Sequence, residues 1–122
     1  AAAQQTETGG ASYAHMTVQD LNRAAAELEA AARGGTSDIE LYIRLGFIYT
    51  RLEKADEAQR AFESAAGLDP RKAVVQYMLG LIYEKKGMTD RAIAAWQACL
   101  DNASEERLRD TARRHLHHLR RP

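Results

Sequence analysis

A pattern in this chain recurs at a separation of 34 residues, and a repeat of that length admits few folds. The first copy reads Tyr42, Leu45, Gly46, Tyr49, Ala58, Phe62, Ala65 and Pro70. Adding 34 gives Gln76, Leu79, Gly80, Tyr83, Ala92, Trp96, Cys99 and Ser104. The six inner pairs are identical or alike in kind, and Gln76 and Ser104 depart from their counterparts. Within each copy, apolar residues at helical spacing form two runs. A helical unit of this size cannot bury its apolar faces alone, so the units must stack on one another.

With Leu-Gly-x2-Tyr, then Ala-x3-Phe, then a late Pro, the chain resembles the tetratricopeptide-repeat family. The resemblance is close over 39–106 and weak over 17–36. It implies an all-α, right-handed helical-hairpin solenoid with two full hairpins, 39–72 and 73–106. A glycine inside a helix is about 1 kcal/mol less favourable than alanine, so Gly46 and Gly80 need a compensating close contact. On the resemblance, Ala58 and Ala92 pack onto those bare backbones. Tyr49 and Tyr83 face the same seams, and Phe62 and Trp96 fill the space towards the next hairpin. All are expected to be core.

The organisation follows in chain order. Residues 1–16 form a small, polar segment with a Gly9-Gly10 pair and no apolar period, expected to be flexible. The chain starts at Ala1 rather than Met, and the His15–Met16 step fits a natural start at Met16 and continuous native sequence equally well. The remainder, 17–122, reads as one domain of repeats. Thr17 with Asp20 suggests a capping box opening an N-terminal helix or partial repeat over 17–36, ended by Gly34-Gly35. Ser37 with Glu40 suggests another at the start of the first hairpin, whose helices are expected at 38–52 and 55–67. Asp69-Pro70 is expected to cap and begin the next helix. The second hairpin should have helices near 71–86 and 89–102, broken at Gly87-Met88. Ser104 is expected to cap a last helix, 104–120, with Leu108, Ala112, Leu116 and Leu119 as its apolar stripe.

Charge excludes little and directs little. Seventeen basic side chains balance seventeen acidic ones, so no overall field drives the chain to nucleic acid or a membrane surface. The balance is uneven: residues 1–102 carry 11 basic against 14 acidic, and 103–122 carry six Arg against three acids. Cys99 is the single cysteine, which excludes an internal disulfide, and it is expected to be a small buried hydrophobe. No apolar run approaches the roughly 18 residues of a membrane span, and no signal-peptide pattern opens the chain; the sequence leaves the compartment open, with a soluble, cytoplasmic setting favoured.

The resemblance places function on a concave surface lined by the first helix of each repeat, which takes an extended peptide or a helix of another protein. Ile43, Phe47, Thr50 and Arg51 face it from the first repeat. Tyr77, Leu81, Glu84 and Lys85 are their counterparts in the second, with Val74 near the rim. Relatives that grip a terminal carboxylate do so with Lys and Asn, whereas Ile43, Phe47, Tyr77 and Leu81 stand there in this chain. An apolar groove with a charged lip is the expectation. Independently of any family, apolar residues cover nearly the whole circumference of 39–52, so that helix calls for burial on more than one side. A partner, a second copy of this chain, or the packing of residues 1–33 could supply it.

His115, His117 and His118 lie close together, but arginines surround them and no further ligand joins them, so a solvated helix face is expected rather than a metal site. The arginine-rich tail lacks aromatics for stacking and contains three acids, which disfavours nucleic acid. No phosphate loop, nucleophile–base pair or carboxylate cluster points to catalysis, and no cofactor is implied. The reading is a non-enzymatic interaction module, an adaptor or assembly scaffold. Its alternatives are homo-oligomerisation through the same apolar face and a scaffold presenting the basic C-terminal helix to an acidic partner.

Overall fold

The computed structural model describes residues 13–121, and these contain six α-helices and no strand. They are α1 (Val18–Arg33), α2 (Ile39–Arg51), α3 (Ala55–Leu68), α4 (Ala73–Lys85), α5 (Thr89–Asn102) and α6 (Glu106–Leu119). Adding 34 to the bounds of α2 and α3 reproduces those of α4 and α5 to the residue. The segment expected to be flexible falls mostly on residues 1–12, outside the described residues. Its last part does not hang free: Tyr13 and Met16 pack against apolar residues of α1 and α2.

Local chemistry explains most helix ends. Thr17 Oγ1 accepts the Asp20 amide at 3.0 Å, satisfying an otherwise orphan donor at the start of α1. At α2 the cap is Asp38, whose Oδ1 accepts the Glu40 amide at 3.1 Å; the expected cap, Ser37, lies one residue too early. Thr36 Oγ1 accepts the Asp38 amide and fixes the approach. The expectation at Asp69-Pro70 also needs correction. Asp69 Oδ1 accepts the Arg71 amide at 2.9 Å and Asp69 O accepts the Lys72 amide at 3.3 Å, so these residues form a turn. Helix α4 then begins at Ala73. Gln76, the odd residue at the repeat's aromatic position, is buried and donates its side-chain amide to Pro70 O at 2.9 Å. It ties the turn down from the helix that follows. At α6 the cap position is Glu105 rather than Ser104.

By its contacts the chain divides into two compact units, residues 1–65 and 66–122. In the first, Leu21 and Ala25 of α1 meet Leu41, Leu45 and Ile48 of α2 and Ala61 of α3 in one buried cluster. In the second, Val75, Leu79 and Tyr83 of α4, Ala92, Trp96 and Cys99 of α5, and Ala112 and Leu116 of α6 are buried. Each large side chain so enclosed contributes about 1.5–3 kcal/mol of transfer free energy. The expected stripe of α6 is thus confirmed at Ala112 and Leu116, with Leu108 and Leu119 half-buried beside them.

The glycine contacts add a second group to the expected seams. A methyl built on Gly46 would lie 2.5 Å from the Phe62 ring, and one built on Gly80 would lie 2.6 Å from the Trp96 indole. The Phe62 and Trp96 rings are therefore the nearest groups that the bare backbone admits. Both rings are fully buried. A flat aromatic face laid on a helix backbone needs a residue without Cβ beneath it, which accounts for Gly, wedge and 16-residue spacing together.

Candidate protein-interaction faces

In the first unit, Phe47 of α2 is half-buried and meets Phe62 edge to face, with centroids 5.4 Å apart and planes at 87°. Its position is fixed from below by the same ring that lies on Gly46. Ile43, expected to face a partner, is only 5% exposed. Its side chain is withdrawn into packing and cannot serve as an open anchor. Thr50 is exposed, and its hydroxyl donates to Gly46 O at 2.8 Å, which turns the polar group back onto its own helix. Arg51 is exposed and donates to Ala14 O at 3.4 Å.

The second unit repeats the aromatic arrangement with different residues. Tyr77 of α4 meets Trp96 edge to face, again at 5.4 Å and at 88°. Yet Tyr77 is the repeat counterpart of Ile43, and Leu81 is the counterpart of Phe47. The geometry is kept while the residue supplying it moves by one helical turn. Val74, Tyr77 and Leu81 are half-buried and Lys85 is exposed.

Glu84 does more than present a charge at the lip. One of its oxygens, Oε1, accepts the Trp96 indole N–H at 3.1 Å and lies 2.8 Å from His115 Nδ1. An ionised carboxylate only accepts, so Nδ1 of His115 carries the shared proton. The imidazole also stacks on Trp96, with centroids 4.2 Å apart and planes at 16°. His115 therefore does not belong to a solvated face, as expected from sequence, but joins α6 to α4 and α5. His117 and His118 are exposed as expected. Nothing in the sequence linked His115 to Glu84, 31 residues away; the partnership arises from the packing of α6.

Two further concavities carry charge. In the first unit Tyr42, Leu45 and Tyr49 of α2 line an opening with Glu29 of α1 and Glu57 and Arg60 of α3. The Tyr49 phenol is pushed above its usual range, first by burial and then by the charge of Glu29 and its hydrogen bond to that carboxylate. In the second unit Leu100 of α5 and Leu116 of α6 line a cleft with Arg113, His117, Arg120 and Arg121. Cys99 is buried, and burial pushes its thiol up, away from the reactive thiolate. Among the described residues, no group of three or more His, Cys, Asp or Glu could hold a metal ion. No helix there is long and apolar enough to cross a membrane.

Helical hairpins whose bounds recur at 34 residues, each with an aromatic wedge seated on a helix glycine, define a helical-repeat protein. Profiles for the tetratricopeptide repeat match residues 39–72 and 74–105. The chain belongs to the tetratricopeptide-repeat family. Compared with curated proteins, it has no match. Repeats of this kind generally mediate protein–protein interaction or assembly, and they typically act as non-enzymatic scaffolds.

Proposed function

We propose that this chain is an adaptor that holds a segment of another protein, extended or helical, against the first helix of each repeat. In the first repeat the contact is carried by Phe47, with Thr50 and Arg51 at its edge. In the second it is carried by Tyr77 and Leu81, with Val74 at the rim and Glu84 and Lys85 setting charge. The observation that supports this is the pair of edge-on rings. Phe47 and Tyr77 each keep an open side while a fully buried ring holds the other. An aromatic side chain fixed before binding loses little rotamer freedom when a partner covers it, and such residues dominate interface energetics. Ile43, buried, is left out of the anchor set.

The test begins with peptides selected from a random library on the unmodified chain. Phe47→Glu and Tyr77→Glu should each weaken the selected peptides by tenfold or more, about 1.4 kcal/mol, with helix content retained. Peptides that bind both variants as well as they bind the original would sink the reading. A variant that loses its fold instead would show the ring to be a core residue and not an anchor.

A further inference from the structure

We infer that the arginine cleft between α5 and α6 is a docking surface for a second copy of this chain, which presents the acidic side of its first unit around Glu29 and Glu57. The molecule carries both halves of this contact. Residues 1–65 hold ten acidic side chains against six basic ones, whereas residues 66–122 hold seven against eleven. Formal charge across the whole chain is zero at pH 7, so no net repulsion opposes the approach of two copies.

The cleft is suited to carboxylates attached to an apolar surface. Leu100 and Leu116 supply its apolar lining, and its other residues are three arginines and His117, with no acid among them. Arg113 is held by Glu106 at 2.9 Å and Arg120 donates to Gln97 at 3.1 Å. Among the described residues, Arg120 and Arg121 meet no carboxylate. On the first unit, among the described residues, neither Glu29 nor Glu57 forms an ion pair, although Arg60 lines the same opening; Glu29 holds the Tyr49 phenol, and Tyr42 lines the opening with them. A guanidinium satisfies both features, because it binds a carboxylate through two parallel donors and stacks on a phenol ring. A nucleic acid would find the arginines but no aromatic in the cleft on which to stack a base.

The two patches differ, so the contact is head to tail. Association then continues past the dimer unless the chain of copies closes on itself. The contact uses neither Phe47 nor Tyr77, so it stands or falls apart from the adaptor reading.

Light scattering of the full chain over a hundredfold range of concentration tests it. At about 20 mM salt the mass should climb above 13.6 kDa, and at about 0.5 M salt it should return to that value, since exposed charges are then screened. Charge reversal sharpens the test. The pair Arg120→Glu with Arg121→Glu, and separately Glu29→Arg with Glu57→Arg, should each remain at monomer mass at low salt while circular dichroism shows intact helices. An equimolar mixture of the two variants should regain the rise, because the reversed patches complement one another. Phe47→Glu should leave the rise unchanged. A monomer mass at low salt throughout would overturn the inference, and so would a rise that survives high salt or both reversals. The salt series needs no variant, so a misfolded variant does not rescue it. A duplex oligonucleotide that binds the unmodified chain while its mass stays at one copy would assign the arginines to a polyanion instead.

Discussion

Glu53 and Gly87 stand one repeat apart and adopt the same left-handed backbone, with φ of 59° and 74°. Around them the hydrogen bonds also repeat. Lys54 N–H donates to Tyr49 O at 2.9 Å as Met88 N–H donates to Tyr83 O at 2.8 Å. Glu53 and Gly87 N–H donate to Thr50 and Glu84 O, both at 3.1 Å. Each hairpin thus reverses through the same left-handed helix terminus, in which carbonyls left over from the first helix are satisfied.

Glycine adopts this backbone freely and glutamate does not. For an L-residue it costs about 1–2 kcal/mol, offset in part because glycine adds about 0.4–1 kcal/mol of unfolded-chain freedom. Glu53→Gly should therefore stabilise the protein by about 0.5–1 kcal/mol, and Gly87→Ala should destabilise it by about 1 kcal/mol. Denaturant titration reads both. A loss of stability in Glu53→Gly would mean that the glutamate side chain contributes more than the strained backbone costs.

The glycines of the helix interiors answer to a different constraint. Replacing Gly80 by alanine raises helix propensity by about 1 kcal/mol but drives a methyl to 2.6 Å from the Trp96 indole. Trp96 is fully buried and cannot swing away. Overpacking of this kind costs about 1–3 kcal/mol or more, so the net effect should be loss. Gly80→Leu should loosen or unfold the second hairpin outright. Tryptophan emission, which comes from Trp96 alone, should move to the red in both variants. An unchanged melt in Gly80→Leu would refute the close approach of indole and helix.

These residues also mark how far the sequence could be read. The period, the helix pairs and the glycine positions are legible because each is a local or repeated pattern. Which atoms come nearest the glycines is not legible: Ala58 and Phe62 lie on the same helix, and only its rotation against α2 sets how close the Phe62 ring comes to Gly46. Asp69-Pro70 suits a helix start and a turn equally well until Gln76, six residues on, binds the Pro70 carbonyl. Ile43 and Phe47 share one face of α2 by spacing, yet one is buried and the other half-open. Spacing alone cannot give depth.

The stack of His115 on Trp96 makes a testable joint between α6 and the rest of its unit. His115→Ala should remove about 0.5–1.5 kcal/mol from aromatic contact, besides the hydrogen bond to Glu84. The loss should be concentrated in α6, which hydrogen exchange resolves residue by residue. Glu84→Gln keeps an acceptor for the indole and should cost less. Equal loosening of α1 and α6 in His115→Ala would show that the contact acts on the whole fold and not on this helix.

Tyr49 offers a test in which the sign is fixed by the structure. Burial, the carboxylate of Glu29 and its hydrogen bond, and then Glu57 hold the phenol above its ordinary value of 10.0, with Arg60 opposing. The folded chain therefore retains the proton where the unfolded chain releases it. Stability due to the neutral phenol is complete below the unfolded value and is lost as pH rises through the raised folded one. Tyr49→Phe removes this term, so its stability should fall less steeply than that of the original chain between pH about 9 and 11. Glu29→Gln should reduce the slope in the same direction, since the charge and the hydrogen bond to an anion both go. Comparing each variant with the original by denaturant titration cancels the contribution of the other tyrosines. A difference between Tyr49→Phe and the original that does not vary with pH would show the phenol to be free of Glu29, and the opening between α1 and α3 to be less acidic than the structure gives.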